Sequence, residues 1–161
     1  MTRKVWRIAT DAPTYEADDL SGTGAKLTGG RWNEKDVPAV YTSESRALAC
    51  LETMAHLNSG GLPLNRYLVE VTIPDNIWDA REEHDAAALP IGWDARPTGR
   101  TSIRFGTDWL RSRRSVLLLV PSVIVPEERN VLINPLHPAG GGITARKLRL
   151  WSYDPRIAKA P

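Results

Sequence analysis

Apolar residues fall in short alternating or continuous blocks along most of the chain, and a helical period is clearest over residues 43–58. Val5-Trp6-Arg7-Ile8-Ala9 reads as a first strand. Residues 10–30 are rich in Asp, Ser, Thr and Gly without a period, which predicts a long loop; such loops in a compact domain are usually functional. Val37 to Thr42 predicts a short strand that leads into the helix of residues 43–58. In that helix Ser43 serves as the cap and Glu44 lies in the first turn. Leu48, Leu51 and Ala55 form its buried stripe, widened by Ala47 and Met54, and Gly60-Gly61 ends it. Glu52 falls at the margin of the stripe, between core and cleft.

Arg66 to Ile73 alternates as a strand, with Tyr67, Val69, Val71 and Ile73 on one face and Pro74 as its stop. Residues 75–100 read as irregular, with a short helix near 82–89. Residues 101–114 read as a helix with Ile103, Trp109 and Leu110 inward, weakened by Gly106. Val116 to Val120 is a continuous apolar run, as in a central strand; Pro121-Ser122 interrupts it and Val123-Ile124-Val125 resumes it. Val131 to Ile133 and Lys147 to Tyr153 complete the strands. No repeat, low-complexity segment or linker breaks the pattern. The expectation is one α+β domain over residues 1–161, a mixed or antiparallel sheet with flanking helices.

Composition narrows the class. With 161 residues, 42% hydrophobic and 25% charged, the chain has ordinary globular character and enough length for a real core. Six Trp is a high number, and their amphipathic rings suit pocket walls or an interface. A net charge of +2 gives no argument for nucleic acid. The charge is blocky, however. Residues 75–94 carry six acids against Arg81, a net of −5, and residues 96–114 carry six Arg against Asp108, a net of +5. Two solvated faces explain this most simply; a docking surface for a charged partner is the sharper reading. A lone Cys50 excludes an intramolecular disulfide and suits a reducing compartment. With no apolar run near the roughly 20 residues of a membrane span, the expectation is a cytoplasmic protein without a membrane partner.

Candidate chemistry centres on Gly29-Gly30-Arg31-Trp32-Asn33, followed by Tyr41 and Glu52. Arginine grips phosphate as a bidentate fork. An aromatic stacks on a planar cation. A carboxylate stabilises positive charge developing on a sugar. In that order the residues describe a site able to hold NAD and break its nicotinamide–ribose bond. Taken singly, each has a plainer role: Arg31 an ion-pair partner, Trp32 a core residue, Tyr41 a half-buried packing residue, Glu52 a solvated helix carboxylate. Other chemistries lack parts. Three scattered His and one Cys offer no metal-ligand spacing, so no metal is expected. Cys50, in mid-helix, reads as a packing residue. Ser21-Gly22-Thr23-Gly24-Ala25-Lys26 lacks Walker spacing and the third glycine of a dinucleotide fingerprint.

The chain resembles the RES-domain toxins, the toxin half of bacterial RES–Xre toxin–antitoxin pairs. The resemblance runs nearly end to end. It is carried by Trp6-Arg7-Ile8, Gly30-Arg31-Trp32-Asn33, Tyr41-Thr42-Ser43 through Glu52, Pro121-Ser122, Asn134-Pro135-Leu136-His137-Pro138 and Tyr153-Asp154-Pro155-Arg156. The Arg, Glu and Ser that name the family are assigned to Arg31, Glu52 and Ser122. The resemblance implies a fold similar to ADP-ribosyltransferase toxins, with NAD as substrate rather than as a resident cofactor. It implies a toxin that depletes NAD by hydrolysis or phosphorolysis, or one that ADP-ribosylates a protein at the same site. It also implies an Xre-type helix-turn-helix antitoxin, which would contact DNA in place of this chain, in a higher-order hetero-oligomer. A non-catalytic binding module is the reading from a different class.

On that basis Glu52, Arg31 and Tyr41 are the catalytic candidates. Glu52 would stabilise the oxocarbenium-like ribose, Arg31 with Gly30 would bind the pyrophosphate or ribose edge, and Tyr41 would stack on nicotinamide. Ser122 would bond the nicotinamide amide or the ribose. Asn33 would support the turn beside the substrate. Arg7 and His137 rank second, His137 more as a loop-fixing hydrogen bonder than as an acid or base.

Overall fold

The structure is a computed structural model, and it describes residues 1–57 and 62–157. Its framework is one seven-stranded sheet: β1 (Thr2–Thr10), β2 (Val40–Ser43), β3 (Arg66–Pro74), β4 (Glu82–Glu83), β5 (Leu117–Pro121), β6 (Arg129–Ile133) and β7 (Thr144–Leu150). The order across the sheet is β4-β5-β6-β2-β1-β3-β7. All neighbours are antiparallel except β4 and β5, which are parallel. Helices α1 (Thr23–Thr28), α2 (Arg46–Met54), α3 (Asp75–Asp79) and α4 (Arg100–Ser112) flank it. This is the expected α+β architecture with a mixed sheet. No helix among the described residues is long and apolar enough to cross a membrane.

Most strands fall where the alternation placed them, and the departures have local causes. Residues 10–30 are not wholly loop, because Thr23–Thr28 forms the short helix α1. Helix α2 starts three residues later than expected: Ser45, not Ser43, caps it by accepting the Leu48 N–H at 3.1 Å. Ser43 belongs to β2 instead. The register of the buried stripe turns accordingly. Leu48, Ala49 and Cys50 are buried, while Ala47, Leu51 and Ala55 face solvent. The expected stop at Gly60-Gly61 lies outside the described residues. Between β3 and α4 the chain forms α3, the two-residue strand β4 and a single 3-10 turn at Ala86–Ala88 rather than one helix near 82–89. Val123-Ile124-Val125 does not resume a strand; it is a turn that brings the chain back into β6.

Two apolar layers sandwich the sheet. On one side Val5, Val69, Val71, Ile73, Leu117, Leu119 and Val131 pack with Ile77 and Trp78 of α3. On the other, α4 contributes Trp109 and Leu110 against Leu118, Val120 and Leu132. Trp6, Ile8 and Leu68 meet Ala49 and Cys50 of α2 in a separate cluster. Gly106 does not weaken α4. It admits the chain carrying Trp32, since a Cβ at Gly106 would stand 2.0 Å from the Trp32 carbonyl oxygen. The two charge blocks partly neutralise each other: Arg114 makes bonds of 2.8 and 2.9 Å to Glu82. Arg129, from outside both blocks, pairs with Glu83.

Candidate active site

Strands β1 and β2 share a single pair of facing residues, Trp6 and Ser43. Beyond it they part, and the opening becomes a cleft of about 650 Å³, within the range of small-molecule sites. Trp6, Arg7 and Ile8 line one wall; Tyr41, Thr42 and Ser43 line another; Glu52 and Thr53 of α2 close it beside Gly30 and Arg31. Gly30, Arg31, Tyr41 and Glu52, which follow one another along the chain, thus line one cleft.

The turn that carries Arg31 is built by its neighbours. Gly30 and Asn33 form an isolated bridge. Asn33 is 1% exposed, and its amide donates to the Ala25 and Val37 carbonyls, each at 2.9 Å. Tyr41 donates to Asn33 Oδ1 at 2.6 Å and accepts the Trp32 N–H at 2.9 Å. A Cβ on Gly30 would meet the Tyr41 hydroxyl at 2.8 Å, so glycine is required there by close approach. Burial pushes the Tyr41 phenol well above its ordinary pKa, keeping it a neutral donor. Trp32 is core, 2% exposed and stacked on Trp93 at 6.2 Å between ring centroids. Trp32 also touches the cleft wall, whereas Asn33 acts within the turn and is not on it.

Arg31 donates to the carbonyls of Trp93 and Ala95, both at 3.0 Å. Burial lowers its pKa, nearby Glu52 opposes that shift, and Arg96 adds to it. Arg96 in turn donates to the Val123 carbonyl at 2.8 Å. Arg7 donates to the Asp19 carbonyl at 3.2 Å, and burial lowers its pKa against the opposing pull of Asp19. Arg66 leaves its Nε buried without a hydrogen-bond partner. Four guanidiniums therefore line this cleft, and none is in a salt bridge among the described residues. Glu52 is the one acid on the lining. Backbone carbonyls orient a cation without neutralising it, so the cleft is a preformed site for an anion.

Glu52 is held rigidly. Its Oε1 accepts from Ser122 Oγ at 2.7 Å and from Asn130 Nδ2 at 2.6 Å. Ser122 is fully buried and is not among the residues that line the cleft; its hydroxyl is bonded to the Glu52 carboxylate. His137 stands apart. It lines a separate cavity of about 210 Å³, and its Nδ1 accepts the Ala139 N–H at 3.1 Å, the loop-fixing role expected of it. Sequence reasoning missed Asn130, Arg66, Arg96 and His56 on the cleft wall. Arg96 sat in a block read only as charge, and Asn130 gave no signal, being a single polar residue at the head of a strand. Among the described residues no group of three His, Cys, Asp or Glu could hold a metal ion.

Residues 4–155 match the model of the RES domain. The chain is 65% identical over 159 residues to a protein of Sphingobium sp. (strain YBL2) named "Prs ADP-ribosylating toxin", covering 99% of both chains. It is 35% identical to "Toxin Res" of Yersinia enterocolitica over 89% of this chain and 93% of that one. It is 40% identical to "Toxin Res" of Photorhabdus laumondii over 76% of each. The chain, whose cleft carries Arg31 and Glu52 with Ser122 bonded to Glu52, thus belongs to the RES domain family.

Proposed function

We propose that this chain is a toxin that binds NAD in the cleft and cleaves its nicotinamide–ribose bond. The observation that carries the reading is one carboxylate fixed by two hydrogen bonds beside four guanidiniums, none of them in a salt bridge among the described residues. The guanidiniums suit the pyrophosphate, and Arg31 lies close enough to Glu52 to feel its charge. Tyr41 would flank the nicotinamide. The C–N bond breaks with its electron pair going to the pyridinium ring, so nicotinamide leaves neutral and needs no proton from the enzyme. This differs from ordinary glycoside hydrolysis, which uses two carboxylates. The ribose is left electron-poor, and Glu52 stabilises that charge electrostatically.

A nucleophile then adds to the ribose carbon and loses its proton to solvent. Water or phosphate would deplete NAD; a protein side chain would become ADP-ribosylated. The 65% identity to a toxin named for ADP-ribosylating Prs, over essentially all of both chains, favours a protein acceptor. The relatives named "Toxin Res" name no acceptor. The resemblance adds an ADP-ribosyltransferase-like fold, an Xre-type antitoxin in a hetero-oligomer, and action in the cytoplasm. The test is nicotinamide release from NAD by wild type beside Arg31→Ala and Glu52→Gln, together with labelled NAD in cell lysate. Release by wild type with a labelled protein band supports the transferase; release without a band supports hydrolysis or phosphorolysis; no release overturns the reading and leaves a binding module.

A further inference from the structure

Glu52 is gripped from two directions, and the geometry fixes which proton goes where. Ser122 Oγ accepts the N–H groups of Ile124 and Val125 at 3.0 and 3.1 Å, so its own proton is directed to Glu52 Oε1. The amide of Asn130 is oriented in the same manner. Ser43 Oγ bonds Asn130 Oδ1 at 2.8 Å, which leaves the NH₂ group to face Glu52 Oε1. Ser43 and Asn130 are directly opposite in the β2–β6 ladder, so their side chains stand on one face of the sheet. Both donors meet the same carboxylate oxygen. Among the described residues nothing hydrogen-bonds Oε2.

We propose that Asn130, oriented by Ser43, is a positioning residue for the cleavage step: it clamps Oε1 and leaves Oε2 as the oxygen that meets the substrate. The proposal rests on the NAD-cleaving reading above. Without Asn130 the carboxylate would hang on the Ser122 bond alone and could swing about it, and misplacement of about 1 Å can cost about 100-fold in rate. The other charged or titratable groups on the cleft wall are Arg7, Arg31, Tyr41, His56, Arg66 and Arg96. None is an acid, so a new carboxylate at position 130 would be the only one beside Glu52.

The experiment measures nicotinamide release from NAD by the purified chain across pH, for wild type, Asn130→Ala, Asn130→Asp and Ser43→Ala, with thermal midpoints alongside. Asn130→Ala is expected to lower kcat about 100-fold while KM for NAD stays within a few-fold. Asn130→Asp sets two carboxylates against one another, and such a pair retains a proton. That proton can replace the amide hydrogen that Asn130 gives to Glu52 Oε1, and it is lost as pH rises, so activity is expected to fall with rising pH where wild type holds. Ser43→Ala should lose kcat in the same direction but less. Asn130→Asp keeps the shape of the side chain and decides the question if Asn130→Ala does not fold. Wild-type kcat in Asn130→Ala, or an Asn130→Asp profile parallel to wild type, overturns the positioning role alone. A wild type inert toward NAD overturns the functional reading and this proposal with it.

Discussion

Ser122 and Glu52, 70 residues apart in sequence, meet in a 2.7 Å hydrogen bond that sets the carboxylate at the mouth of the cleft. The contact joins the residue that follows β5 to the last turn of α2. It makes the serine a support for the acid, and it links the stability of the Val123 turn to the chemistry.

Replacing Glu52 by Gln tests the acid itself. Glutamine retains an acceptor oxygen for Ser122, so folding should be unaffected. Nicotinamide release should fall about 100- to 1000-fold, as for the loss of one group that stabilises transition-state charge. Steady-state assay of NAD cleavage, with circular dichroism to verify the fold, provides the check.

Ser122→Ala should behave differently. It removes a donor from Glu52 and also strands the N–H groups of Ile124 and Val125. Ile124 is exposed and Val125 half-buried, so water can take over these N–H groups in part, and each lost bond costs about 0.5–1.5 kcal/mol. Activity and stability should therefore drop together, whereas Glu52→Gln lowers activity alone. Chemical denaturation of the two variants in parallel separates these outcomes.

Gly106→Ala inverts the usual propensity rule. Alanine in a helix is favoured over glycine by about 1 kcal/mol. Here the new methyl would stand 2.0 Å from the Trp32 carbonyl oxygen, and backbone must move. The expected result is a net destabilisation of about 1–3 kcal/mol, with loss of NAD cleavage because Arg31 precedes Trp32. An increase in melting temperature would contradict the packing described for α4.

Glu70, which does not line the cleft, provides a separate pH signature. Lys4 bonds its carboxylate at 2.8 Å and Arg146 at 3.1 Å. The Lys4 bond is the main cause holding the carboxyl below its ordinary value of 4.5, burial works against it, and Arg146 adds to it. A depressed folded-state pKa stabilises the protein above the unfolded value, and that contribution is lost as pH falls through the lower folded value. Glu70→Gln should thus be less stable than wild type at neutral pH, by about 1 kcal/mol or less because Lys4 and Arg146 are solvent-accessible. The gap should narrow below pH 4.5. Thermal melts from pH 3 to 7 measure it; a gap that widens on acidification would refute the assignment.

What the chain settles by itself is local. Alternation located β3, a continuous apolar run located β5, and short apolar blocks marked β1, β2 and β6, because a strand repeats every two residues and a strand buried on both faces is apolar throughout. The order Gly30, Arg31, Tyr41, Glu52 was legible because a turn, a strand and a helix follow one another and keep those side chains within reach of one cleft. Element ends were less legible: Ser43 and Ser45 both suit a cap, and only the pairing of Ser43 with Asn130 in the ladder assigned the first to β2. The roles of Ser122 and Asn130 could not be read from the chain at all. Each acts on Glu52 from β5 or β6, across 70 and 78 residues, through hydrogen bonds that exist only once α2 has docked on the sheet. Local sequence sets the propensity of a segment for helix or strand; which distant side chain completes a carboxylate's hydrogen bonds is decided by register and packing.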